Sequence, residues 1–179
     1  MTANSELTQQ YLSAGENLQK SGKFEEAIAQ YQQILALKPD AAVARNKIAE
    51  VYYAQQKYVE AIACCYQTLR HQPNFAPAYK TLGNILQAQG KIEAAARAYS
   101  KAIEFDPKLV AAYVNLGSMC YKQGLLDEAI TYYQKAIAQQ PDLAAAYWNL
   151  GKVLEQQGRI NEGLIYQEKA LKLQPELAK

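Results

Sequence analysis

Five prolines stand in register along this chain: Pro39, Pro73, Pro107, Pro141 and Pro175, each 34 residues after the one before. A fixed interval of that length marks one supersecondary unit copied along the sequence. Such a unit cannot bury its apolar face alone, so the copies stack, and a stack offers a long surface rather than one deep cleft. The copies run 8–41, 42–75, 76–109, 110–143 and 144–177. A polar segment, 1–7, precedes them, and 178–179 is a tail or the start of a further copy.

Other columns keep step with the prolines. The seventh position holds Ala14, Ile48, Leu82, Leu116 and Leu150, and the eighth Gly15, Ala49, Gly83, Gly117 and Gly151. The twentieth reads Ala27, Ala61, Ala95, Ala129 and Gly163, and the twenty-fourth Tyr31, Cys65, Tyr99, Tyr133 and Gln167. In the third copy Tyr79, Leu82, Gly83 and Leu86 fall at helical spacing, which predicts an amphipathic helix with Pro77 in its first turn. Gln89-Gly90-Lys91 breaks that helix. Ile92, Ala95, Ala96, Tyr99, Ala102 and Ile103 define a second, opened by Glu93 and ended at Asp106-Pro107. The small columns, such as Gly83 and Ala95, let two helix backbones approach.

These columns are those of the tetratricopeptide repeat, which the chain resembles from 8 to 177. The match is close at Ala146-Tyr147-Trp148-Asn149-Leu150-Gly151 and over 127–136. The resemblance implies an all-α fold: a right-handed superhelical solenoid of tandem antiparallel helix hairpins. The second copy departs most, with Arg45 for tyrosine, Gln56 for glycine and Thr68 for a small or aliphatic residue, and is expected to be the least stable unit. Gln167 and Gly163 are expected to weaken the last helix.

No apolar run resembles a signal peptide or a membrane span. Cys64, Cys65 and Cys120 lack metal-ligand spacing, and two of them occupy core columns, so a reducing, cytoplasmic compartment fits best. The formal net charge is only +2. Copies two and three are mildly basic, with four basic residues against two acidic and five against three. That falls short of a nucleic-acid-binding stripe, so neither a nucleic acid nor a membrane is expected as partner. His71, the single histidine, precedes Pro73 with no cysteine or second histidine to work with. Glu25-Glu26 and Asp127-Glu128 open second helices, where the helix dipole accounts for them. Neither catalysis nor a cofactor nor a metal is expected.

The resemblance places the first helix of each copy on the inside of a groove that holds a peptide or partner protein. Positions two, five, six, nine, twelve and thirteen then face the ligand. Amides at those positions offer both a donor and an acceptor to a peptide backbone, and Tyr or Trp adds rigid contact area. The expected contact residues are Tyr53, Lys80, Asn84, Asn115, Tyr121, Trp148, Asn149 and Lys152. Lys80, Asn84 and Asn115 match three members of the family's carboxylate clamp, but Ala145 and Asn149 replace its remaining cations. Asn115 and Asn149 resemble the asparagine ladder of the O-GlcNAc transferase repeat region. The function expected is therefore a non-catalytic protein-interaction scaffold. The alternative is a substrate-recognition module of a larger glycosyltransferase or methyltransferase. Leu164, Leu171 and Leu173 would lack a neighbour in the last copy, suggesting a continuation or self-association through that helix. Asn4 or Ser5 is the expected cap of the first helix.

Overall fold

A computed structural model of the protein describes residues 3–178; residues 1 and 2 of the expected N-terminal segment and 179 of the tail lie outside the described residues. Ten α-helices follow one another there: α1 (Ala3–Lys20), α2 (Phe24–Leu37), α3 (Ala42–Ala54), α4 (Tyr58–His71), α5 (Ala76–Ala88), α6 (Ile92–Phe105), α7 (Val110–Lys122), α8 (Leu126–Gln139), α9 (Ala144–Gln156) and α10 (Ile160–Leu173). A 3-10 turn, Pro175–Ala178, comes after α10. The described residues contain no strand. From α3 onward the first helices open at 42, 76, 110 and 144, in step with the prolines. The chain divides into two compact units, Met1–Ala98 and Tyr99–Lys179, with the division inside α6.

Local chemistry sets the helix ends. The second helices carry acids in their first turns, Glu25 and Glu26, Glu60, Glu93, Asp127 and Glu128, and Glu162, where the positive end of the helix dipole favours them. The turn from first to second helix needs one left-handed residue. Gly22, Gly90, Gly124 and Gly158 supply it with φ between 72° and 81°, and Gln56 takes it in the second copy at φ 60°. Asn4 and Ser5 do not cap α1: they lie inside it, because the helix already runs from Ala3, and the carbonyl of Asn4 accepts from Thr8 Oγ1 at 2.7 Å.

Each unit builds its core from the alanine, glycine and tyrosine columns. In the first unit Ala27, Tyr31, Ile34, Ala44, Ile48 and Val51 form one cluster, and Ala49, Ala61, Cys65, Leu82, Ile85 and Ala98 another. In the second, Ala129, Tyr133, Leu150, Val153 and Leu154 pack together beside Tyr113, Ala136 and Ala146. In the first and fourth copies the glycine at position eight lies against the tyrosine at position twenty-four. A Cβ on Gly15 would stand 2.5 Å from the Tyr31 ring, and one on Gly117 2.9 Å from the Tyr133 ring. Where the tyrosine is lost, the pairing changes with it. The second copy has Ala49 and Cys65, both buried. In the last copy Gly151 and Gly163 face each other backbone to backbone: a Cβ on either would come within 2.8 Å of the other's carbonyl oxygen. Gly163 therefore permits a closer approach of α9 and α10.

Arg45 makes in the second copy the bond that Tyr79 makes in the third. Tyr79 Oη donates to the carbonyl of Pro73 at 3.1 Å, and Arg45 Nη2 donates to the carbonyl of Pro39. Thr68 is buried and donates back to the Cys64 carbonyl within α4 at 2.9 Å.

Candidate interaction face of the first helices

Positions five, nine and twelve of a first helix fall on one side of it, because residues three and four apart share a face. In the first unit that side belongs to α1, α3 and α5, and charged side chains join the three helices. Glu16 Oε1 meets Lys47 Nζ at 2.9 Å, Lys47 Nζ meets Glu50 Oε2 at 3.4 Å, and Glu50 Oε1 meets Lys80 Nζ at 3.1 Å. All four side chains are partly exposed, so each pair contributes no more than about 1 kcal/mol. Burial works against the charged form of Lys47, yet Glu16 and Glu50 hold its ammonium above the ordinary lysine range. Beside this chain of charges Tyr31 Oη donates to Gln19 Oε1 at 3.1 Å. An open depression of about 440 Å³ lies among Glu16, Gln19, Lys20, Phe24, Lys47 and Ala54.

The expected contact residues of this unit are Tyr53, Lys80 and Asn84, all half-buried. Tyr53 packs against Tyr58 with ring centroids 6.2 Å apart. Lys80 is engaged by Glu50, so a ligand meets an ion pair there rather than a lone cation. Two other groove positions are closed: Asn46 is 3% exposed and Thr81 1%. The helical register puts them on this side of their helices, but the fold closes them to solvent. Glu16, Lys47 and Glu50, which the sequence reading left out of its leading residues, form most of this face. Their signal was present as oppositely charged residues about one repeat apart.

In the second unit the same side belongs to α7 and α9 and has another character. Asn115, Tyr121, Trp148 and Asn149 are half-buried, and Lys152 is exposed. Lys152 Nζ sits 5.5 Å from the centroid of the Trp148 ring one turn before it. Ser118 and the Tyr133 hydroxyl are hydrogen-bonded at 3.0 Å. This face combines amides, aromatic rings and one cation, and its aromatic surface suits a chain laid across it.

The cysteines are free thiols. Burial pushes the Cys65 thiol up to about 12 and raises Cys64 and Cys120 as well, which keeps them protonated and unreactive. The acid pairs tie repeats together: Gln55 Nε2 donates to Glu25 Oε1 at 2.8 Å, and Gln157 Nε2 to Asp127 Oδ1 at 2.7 Å. Its own backbone N–H first, and Gln55 second, hold the Glu25 carboxyl below its usual range. His71 is exposed at the end of α4. Among the described residues no group of three or more His, Cys, Asp or Glu is placed to hold a metal ion, and no helix is long and apolar enough to cross a membrane.

Comparison with known proteins agrees with the helical hairpins. Family profiles described as TPR repeat match residues 83–124 and 117–158, and profiles described as tetratricopeptide repeat match 18–86 and 144–177. A search of curated proteins finds no match. Among solved structures, that of MamA is 27% identical, covers 92% of this chain and 96% of its own, and superposes with a TM-score of 0.74. YrrB, described as a TPR protein with an unusual peptide-binding site, is 24% identical over 97% of this chain and 93% of its own, with a TM-score of 0.65. A thermophilic TPR protein of Thermus thermophilus, TTC0263, is 20% identical over 94% and 92%, with a TM-score of 0.76.

Proposed function

The chain belongs to the tetratricopeptide repeat family, and on that premise we propose that it is a non-catalytic scaffold whose first-helix faces bind an extended peptide or a partner protein. The observation that carries this reading is the set of amide and aromatic side chains on α7 and α9: Asn115, Tyr121, Trp148 and Asn149, with Lys152 over the indole. An amide can pair with a ligand's backbone N–H and C=O at once, whatever its sequence. An aromatic ring adds area at small entropic cost. In the first unit Tyr53, Lys80 and Asn84 belong to the same contact set, and Lys80 reaches a ligand by exchanging Glu50 for it. YrrB, named for a peptide-binding site, shares the fold and lends support. Free thiols support a reducing, cytoplasmic location.

The test is a random peptide library panned against the purified protein. Enriched peptides are expected to bind Asn115→Ala/Asn149→Ala at least tenfold more weakly, while its thermal unfolding stays within a few degrees of wild type. Leu116→Ala, at a buried position of α7, is the contrasting variant: it costs about 2–5 kcal/mol of stability. Peptides that bind the double asparagine variant as well as the wild type would remove α7 and α9 from the binding face.

A further inference from the structure

The second helices turn one side to solvent, and α4 carries large apolar residues there at two positions where the other second helices carry polar ones. Val59 is 77% exposed and Tyr66 59%. The corresponding residues are Glu25 and Gln32 in α2, Glu93 and Ser100 in α6, and Asp127 and Gln134 in α8. Val59, Ala63, Tyr66 and Arg70 follow one another at intervals of four, three and four, which puts them on one narrow stripe of the helix. Ala63 and Arg70 are exposed as well. An exposed apolar residue by itself needs no explanation. A stripe that replaces polar residues of the other copies does.

We propose that α4 docks against α4 of a second copy of this chain, as an antiparallel pair about a two-fold axis. In such a contact one patch must complement itself. An axis midway between Cys64 and Cys65 along the helix does this for size. It sets Tyr66 of each copy level with Ala63 of the other, large against small, and Val59 level with the aliphatic stem of Arg70. It does so for charge as well. With a rise of about 1.5 Å per residue, Glu60 of each copy lies within about one residue's rise of Arg70 of the other. Both are exposed, and neither takes part in the ion pairs among the described residues. The cross pairs form twice by symmetry. The stripe is short, so the area covered falls below the roughly 1,200 Å² of a stable interface. The dimer is therefore weak and concentration-dependent, with a dissociation constant of order 100 μM. This surface lies on a second helix, so the proposal does not rest on peptide binding by the first helices.

Sedimentation equilibrium of the full chain, from about 10 μM to about 1 mM at low salt, tests it. The weight-average mass is expected to climb from one chain toward two. Tyr66→Glu, at an exposed position whose circular dichroism serves as the folding check, is expected to hold the mass at one chain throughout. Glu60→Arg and Arg70→Glu each set like charges together and are expected to weaken association about tenfold or more. The double swap Glu60→Arg/Arg70→Glu restores it. Leu164→Glu on α10 leaves it unchanged. A wild type that stays monomeric to 1 mM overturns the proposal. So does association that survives Tyr66→Glu, or a double swap no better than its single parents, or association abolished by Leu164→Glu.

Discussion

Gln56 holds its backbone at φ 60°, where the other four copies have glycine. A side chain in the left-handed region costs about 1–2 kcal/mol, and glycine gives back roughly 0.5–1 kcal/mol through its freer unfolded chain. Gln56→Gly is therefore expected to stabilise the protein by about 0.5–1 kcal/mol, read as a higher urea midpoint at unchanged slope. A lower midpoint would mean that the glutamine gains more from its surroundings than its backbone costs. Arg45 shows the opposite outcome of a departure. It reaches the Pro39 carbonyl as Tyr79 reaches that of Pro73, so the turn keeps its bond. One departure strains the backbone and the other conserves a contact, and only coordinates separate them.

At the scale of paired helices, position eight and position twenty-four are coupled through space. Gly117 has no room for a methyl group because the Tyr133 ring fills it, and Gly15 stands the same way against Tyr31. Ala49 with Cys65 is the chain's own exchange of volume across that contact. Gly117→Ala is expected to cost about 1–3 kcal/mol by overpacking. Adding Tyr133→Cys, which copies the Ala49–Cys65 pair, is expected to cost clearly less than the two single changes summed. Chemical denaturation of the four proteins measures the coupling. A neutral Gly117→Ala, or strict additivity, would show that the ring moves aside freely. The last copy solves the same contact differently, with glycine on both helices. The glycine expected to weaken α10 is the one that faces Gly151.

For the whole chain, the 34-residue interval made the helices, their turns and the buried columns legible, because each follows from local periodicity and from glycine or proline at fixed places. The candidate face was legible only in part. Register assigned Trp148, Asn149 and Lys152 to one side of α9, but it also offered Asn46 and Thr81, which the fold buries. Nor could it show that Lys80 is held by Glu50, since that ion pair exists only once two copies are stacked. Burial on this scale has a measurable consequence at high pH. Burial pushes the Cys65 thiol from 9.0 up to about 12 and the Tyr31 phenol from 10.0 up to about 12. It also raises the Tyr133 phenol in the other unit, against its hydrogen bond with Ser118. The folded protein keeps these protons after the unfolded chain has begun to release them. Their contribution to stability is whole below the unfolded values and is lost as pH rises between about 9 and 12. Urea midpoints are accordingly expected to stay level to about pH 8.5 and then fall. Cys65→Ala removes that thiol's share, so its decline between about pH 9 and 10 is expected to be shallower, with Cys64 and Cys120 still contributing. An equally steep decline in Cys65→Ala would mean that the thiol ionises as readily folded as unfolded, and that the space around α4 is open to water.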